Sequence, residues 1–176
     1  MLAVVWPVSW MLLLPVVALE AVVALRSTGL GWKKCVLGSA IANAASTVLG
    51  IPLAWSLLVG LEMLLTSDGG VAFGLASPGA RILSVMVQAP WLIPYKSYES
   101  DLDWMIPSAA LVLLIPFFFV SVFTESWAFK ISARADLQAA RRWSWRANGI
   151  TYGCIFIVVA ALAVQALMTH DGSQGF

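Results

Sequence analysis

Apolar residues gather into four long runs along the chain, and polar residues separate them. The runs cover positions 2–25, 35–65, 108–129 and 147–168. Because roughly 20 consecutive apolar residues span the hydrocarbon core of a bilayer, this pattern predicts four transmembrane helices. The predicted fold class is therefore an all-α integral membrane protein, with the 176 residues forming a single membrane domain.

Details inside the runs modify the helices they predict. The first run has no basic start and contains Glu20, and no small-residue cleavage site follows it. We therefore expect a retained helix rather than a cleaved signal peptide. In the second run, Gly50, Pro52 and Gly60 are expected to kink or tilt the helix, and Pro116 does the same in the third.

A long segment, 66–107, separates the second and third runs. It opens with the turn signal Ser67–Gly70, and its middle, 81–94, is apolar but too short to span a membrane. A loop or an interfacial helix is the simpler interpretation of that middle part. A re-entrant hairpin is the alternative, and it would need cover from the rest of the protein.

Basic residues fix the predicted orientation. Arg26, Lys33 and Lys34 lie between the first two runs, and five basic residues lie in the predicted loop 130–146, namely Lys130, Arg134, Arg141, Arg142 and Arg146. The positive-inside rule places both of these loops in the cytoplasm. Both termini and the loop 66–107 then face outward from a bacterial cytoplasmic (inner) membrane. The same five residues are expected to contact anionic lipid headgroups.

Composition supports the membrane class and excludes several functions. The chain is 61% hydrophobic and 11% charged, whereas soluble domains are about 45–50% apolar and about 25% charged. Its net charge of +1 gives the chain no overall basic character that would suggest nucleic acid as a partner. The single histidine, His170, follows the last run, so no imidazole is available inside the predicted helices for haem or chlorophyll. We therefore predict bound lipids but no cofactor and no metal site.

The two asparagines of the chain lie in similar surroundings. Each follows a glutamate by 23 residues and is followed three residues later by a hydroxyl side chain, which gives the sets Glu20, Asn43, Ser46 and Glu125, Asn148, Thr151. Two helix pairs built on one plan would produce this pattern, as in transporters with parallel internal repeats. The sequence thus predicts two parallel helix-pair repeats.

These six residues form a candidate intramembrane polar network. A carboxylate in hydrocarbon is costly unless it has a partner, so we expect Glu20 and Glu125 to face the bundle interior. One interpretation is a proton or ion relay. The other is that carboxylates and amides hold helices together by hydrogen bonds, each contributing about 0.6–2 kcal/mol.

Three segments of the chain share short motifs with a known family, namely Leu19–Val23, Lys34–Trp55 with its Ala42–Asn43 and Ser46–Gly50, and Ala147–Tyr152. They resemble the filament integrity (FraC-like) multi-pass membrane proteins of cyanobacteria. The resemblance implies a multi-pass protein at cell–cell septa that serves junction assembly and filament cohesion. The chain departs from that family's pattern in having no tryptophan directly after Gly50, and in its longer, tryptophan-rich second loop.

Together these features predict a non-enzymatic membrane protein. No nucleophile elbow or histidine base accompanies its serines and cysteines. The expected role is an accessory or structural subunit that stabilises or assembles a larger complex of respiratory, photosynthetic or cell-junction type, with other membrane-protein subunits as partners. The alternative is a small permease or proton-coupled transporter that uses the Glu/Asn pairs.

Overall fold

A computed structural model describes residues 7–65, 76–87 and 99–173 of the chain. All the regular structure in these ranges is helical. The five helices are α1 (Pro7–Thr28), α2 (Trp32–Leu65), α3 (Pro78–Val87), α4 (Glu99–Ala133) and α5 (Leu137–Ser173).

Local sequence explains where these helices begin. Ser77 precedes α3 and its Oγ accepts a hydrogen bond from the Ala80 amide at 3.2 Å, while Pro78 occupies the first helical position, where a missing N–H costs nothing. Asp136 precedes α5 in the same way. Its Oδ2 accepts hydrogen bonds from the amides of Gln138 and Ala139 at 2.9 and 3.2 Å, which is N-terminal capping of a helix.

Two tight links join the helices in pairs, and they have the same construction. Helix α1 ends at Thr28 and α4 ends at Ala133. In each case the next residue has a left-handed backbone, with φ of 70° at Gly29 and 53° at Arg134. The following helices begin at Trp32 and Leu137. Every one of these positions in the second link lies 105 residues after its counterpart in the first.

The predicted loops are shorter than the sequence pattern indicated. Within the segment 130–146, α4 continues to Ala133 and α5 begins at Leu137, so only 134–136 are non-helical. Within 66–107, the described residues include α3 and the start of α4, while 66–75 and 88–98 lie outside the described ranges. The difference arises because helical hydrogen bonding continues past the apolar stretch from which the membrane boundaries were inferred.

The chain divides into two compact units, with boundaries next to Pro52 of α2 and Pro116, the second of the two prolines inside α4. The first unit comprises Met1–Pro52 and Phe117–Cys154, and the second comprises Leu53–Pro116 and Ile155–Phe176. In the second unit, Val87, Met105 and Ala109 are buried, as is the acidic residue Glu62.

The core of the first unit is formed by small and aromatic side chains. Phe129 and Trp143 are fully buried, and their rings stack with centroids 4.0 Å apart. Gly38 permits this packing, since a Cβ there would lie 2.8 Å from Cε2 of Phe129 and 3.1 Å from Cβ of Ala133. Small residues of this kind let transmembrane helices approach closely.

Among the described residues, two helical stretches are long and apolar enough to cross a membrane, Asp103–Ala133 and Leu137–Thr169. Only 11% of each apolar window is buried within the protein, whereas the core helix of a soluble domain is mostly buried. Large apolar side chains such as Leu64 and Ile157 are mostly exposed. An all-helical chain with two such stretches fits a membrane protein with transmembrane helices.

Candidate functional site

The first glutamate–asparagine pair joins α1 to α2. Glu20 and Asn43 are both buried. The Asn43 amide nitrogen Nδ2 donates to Glu20 Oε2 at 2.5 Å and to the backbone carbonyl of Ser39 at 3.0 Å. Because a carboxamide has two N–H groups, these two bonds use both of them and fix the orientation of the amide.

The second pair joins α4 to α5 with the same geometry. Glu125 and Asn148 are buried, and Asn148 Nδ2 donates to Glu125 Oε2 at 2.6 Å and to the Ser144 carbonyl at 3.1 Å. In both pairs the backbone acceptor lies four residues before the asparagine, on the preceding turn of its own helix. Each asparagine therefore connects its own helix to the glutamate of the helix before it.

Hydroxyl groups connect the two pairs to each other. Ser46 Oγ of α2 donates to Glu125 Oε1 at 2.9 Å, and Thr151 Oγ1 of α5 donates to Glu20 Oε1 at 3.4 Å. Each glutamate thus accepts an amide hydrogen from its own helix pair and a hydroxyl hydrogen from the other pair. We call the six residues, Glu20, Asn43, Ser46, Glu125, Asn148 and Thr151, the crossed polar cluster.

The structure therefore brings together all six residues proposed from the sequence as a polar network. All four helices that contribute them, α1, α2, α4 and α5, do so through residues of the first unit. Among the described residues, no group of three histidine, cysteine, aspartate or glutamate side chains is arranged to hold a metal ion.

Trp143 also belongs to this site. It is fully buried, and its indole Nε1 donates to the backbone carbonyl of Glu20 at 3.0 Å. The arginines next to it in the sequence do not indicate this position, because charge in the adjacent sequence does not report which face of the helix a side chain occupies. Trp145, two positions later, is 45% exposed.

Ser144 is a further contributor that the sequence interpretation did not single out. Its Oγ donates to the Val122 carbonyl of α4 at 3.0 Å and lies 3.2 Å from Asn148 Nδ2. Ser39 occupies the corresponding position four residues before Asn43, and it is equally buried. Among the described residues, Ser39 Oγ is the one buried side-chain oxygen or nitrogen atom that has no hydrogen-bond partner.

The five basic residues proposed to contact lipid lie near the link between α4 and α5. They are Lys130, Arg134, Arg141, Arg142 and Arg146, and all are exposed. None of them donates to the crossed polar cluster in the hydrogen bonds described above. They form a separate, surface feature of the first unit.

The comparisons with known proteins give no relative. No family model, no curated protein and no solved structure matches this chain.

The two serines provide a matched prediction. Ser144→Ala removes a hydrogen bond between helices and is expected to lower the free energy of unfolding by about 1 kcal/mol. Ser39→Ala removes a buried hydroxyl without a partner and is expected to be neutral or slightly stabilising. Reversible unfolding of the purified protein in mixed micelles measures both. An equal decrease in the free energy of unfolding for Ser144→Ala and Ser39→Ala would contradict this difference in hydrogen bonding between the two serines.

Proposed function

We propose that this chain is a non-enzymatic, multi-pass membrane protein that serves as an accessory or structural subunit of a larger membrane complex. The observation that carries the proposal is the closed hydrogen bonding of the crossed polar cluster. Each of the four carboxylate oxygens of Glu20 and Glu125 accepts a hydrogen bond from a side chain. Such a cluster holds helices in one arrangement.

Desolvation explains why the cluster suits a structural role. In hydrocarbon, water does not compete for buried polar groups, so a helix that slides or rotates would leave carboxylates and amides without partners. Ser46 and Thr151 connect helices that are not neighbours along the chain. The cluster therefore fixes the register of one helix pair against the other within the first unit.

The proposed topology has four spans arranged as two parallel helix-pair repeats. Support comes from the constant offset of 105 residues, which relates Glu20 to Glu125, Asn43 to Asn148, and the left-handed residues Gly29 and Arg134. With the basic links in the cytoplasm, both termini and the segment 66–107 lie outside the inner membrane. The partners in this proposal are membrane lipids and other membrane-protein subunits.

Exposed aromatic side chains support a protein partner. Trp32 and Trp127 are 62% and 60% exposed, and tryptophan is enriched both at protein interfaces and at the membrane boundary. The resemblance of Leu19–Val23 and Ala42–Gly50 to filament integrity proteins makes a cell–cell junction the first complex to examine.

A small proton-coupled permease is the second candidate, because the same two buried carboxylates are groups that a relay can use. One contact favours it. Ser46 Oγ lies within hydrogen-bonding distance of two acceptors, Glu125 Oε1 at 2.9 Å and the Asn43 carbonyl at 3.0 Å, and it has one hydrogen to share between them. A relay needs such alternative hydrogen bonds.

Purification in a gentle detergent tests the proposed subunit role. The full chain, tagged and expressed at its natural level in its own host, is expected to copurify with a defined membrane protein in fixed stoichiometry. The Glu20→Gln and Glu125→Gln variants should retain that partner, because glutamine keeps one acceptor oxygen and the hydroxyls can reverse their roles.

Transport measurements separate the two candidates. Purified protein in vesicles that contain a pH-sensitive dye is expected to show no proton flux above that of empty vesicles. Recovery of the chain alone and monodisperse, or a proton flux that both glutamine variants abolish, would overturn the subunit proposal in favour of the permease.

A further inference from the structure

A cleft of about 390 Å³ lies between α1 and α5, and all its lining residues belong to the first unit. Helix α1 contributes Val23, Arg26 and Ser27, and helix α5 contributes Trp145, Arg146, Gly149 and Ile150. The residues from each helix are spaced so that they share one helical face. Neither glutamate of the crossed polar cluster lines this cleft, so it is a separate feature.

The cleft has two arginines, one from each helix. Arg26 precedes the end of α1 by two residues, and Arg146 lies on the facing helix; both are exposed. Guanidinium groups carry several N–H donors in a planar fork that matches the oxygens of a phosphate group. Two such groups beside one cleft favour a ligand with a phosphate or another compact anion.

The remaining lining is apolar apart from Ser27, whose hydroxyl donates to the Val23 carbonyl of its own helix at 2.6 Å. A Cβ at Gly149 would have no atom within 4 Å, so this residue leaves open space beside the apolar side chains of the cleft. The Trp145 indole forms one wall, and edge-to-face contacts with Phe118 and Phe119, at centroid distances of 5.4 and 6.0 Å, hold it in place. This part of the cleft suits a hydrocarbon chain rather than a soluble ligand.

We propose that this cleft binds an anionic phospholipid, with the phosphate between Arg26 and Arg146 and an acyl chain over Gly149 along Val23 and Ile150. This inference rests on the proposed membrane location. The combination of two cations with an adjoining apolar surface specifies a lipid over free phosphate. Arg26 is not among the five basic residues of 130–146 that the sequence predicts to contact lipid. Together with Arg146 it defines one position for the phosphate group.

Native mass spectrometry of the full-length protein in detergent tests the lipid site. Phosphatidylglycerol is expected to bind more tightly than phosphatidylcholine. Arg26→Gln and Arg146→Gln should each weaken phosphatidylglycerol binding about fivefold, the change expected from roughly 1 kcal/mol per basic residue near the headgroups. Lys34→Gln is the matched control. It removes the same charge from an exposed position on α2 that does not line the cleft, and it should leave the affinity unchanged.

Two further arms establish which part of the lipid is recognised. Gly149→Leu fills the cleft without changing the charge and should also weaken phosphatidylglycerol binding. Inorganic phosphate should not displace the lipid if the acyl chain contributes. Three results would each overturn the proposal: a Lys34→Gln loss as large as that of Arg146→Gln, full displacement by phosphate, or an unaffected Gly149→Leu variant. The double variant Arg26→Gln/Arg146→Gln should still copurify with the partner subunit. In that case a failed lipid test would leave the proposed subunit role intact.

Discussion

Replacing Glu125 with alanine is expected to lower the free energy of unfolding by about 2–4 kcal/mol. Glu125 is buried, and it accepts hydrogen bonds from Ser46 Oγ and Asn148 Nδ2. Alanine removes both acceptors, leaves a buried amide N–H without its partner and creates a cavity. Unfolding in mixed detergent micelles, followed by circular dichroism, measures the loss.

Glu125→Gln is the matched control for this prediction. The side-chain oxygen of the new glutamine can accept from Asn148, and its amide group can donate to Ser46 Oγ. The Ser46 hydroxyl then donates its own hydrogen to the Asn43 carbonyl, which lies 3.0 Å away. The cost should therefore stay below about 1 kcal/mol. Glu20→Ala and Glu20→Gln should repeat the difference, because Asn43 and Thr151 surround Glu20 in the same way. Equal stability of the alanine and glutamine variants would show that the cluster does not hold the helices.

Replacing Gly38 with valine is expected to destabilise the first unit by about 1–3 kcal/mol. A Cβ at this position would lie 2.8 and 2.9 Å from two ring atoms of Phe129. That ring cannot move aside easily, because it is fully buried and stacked on Trp143. The same micelle unfolding experiment measures the effect.

Gly50 on the same helix provides the control, since a Cβ there would have no atom within 4 Å. Gly50→Ala should be neutral or stabilising, as alanine favours a helix over glycine. A double-mutant cycle identifies the clash itself: Gly38→Ala should cost less when Phe129 is replaced by valine, because both clashing ring atoms are then absent. An unchanged cost in that background would mean that Phe129 is not the obstacle.

The glutamate–asparagine pairs were predictable because their signal is local and repeated. The same spacing of 23 residues occurs twice, and a helical hairpin with a short link brings such positions to one level. The connections between the pairs were not predictable. Which hydroxyl reaches which glutamate depends on how one hairpin packs on the other, and the spacing along the chain contains no information about that packing.

Trp143 and the links show where sequence patterns fail for physical reasons. The arginines next to Trp143 favour an exposed position, yet the indole is buried and donates to the Glu20 carbonyl. The basic segment 130–146 suggested a loop because it is polar, whereas capping by Asp136 starts a helix within it. Glu62 is buried in the second unit. The sequence pattern did not single it out, because apolar residues lie on either side of it.

We propose that the crossed polar cluster holds together two helix hairpins of like orientation. Cysteine accessibility measures that orientation. The two native cysteines are first removed by Cys35→Ala and Cys154→Ala. Single cysteines are then placed at Lys33 on α2, at Gln138 on α5 and at Ser77 before α3. Lys33 and Gln138 are exposed and lie 105 residues apart. A membrane-impermeant maleimide should label Ser77→Cys in intact cells, and Lys33→Cys and Gln138→Cys only in inverted vesicles. Labelling of Lys33→Cys and Gln138→Cys from opposite sides of the membrane would contradict the account.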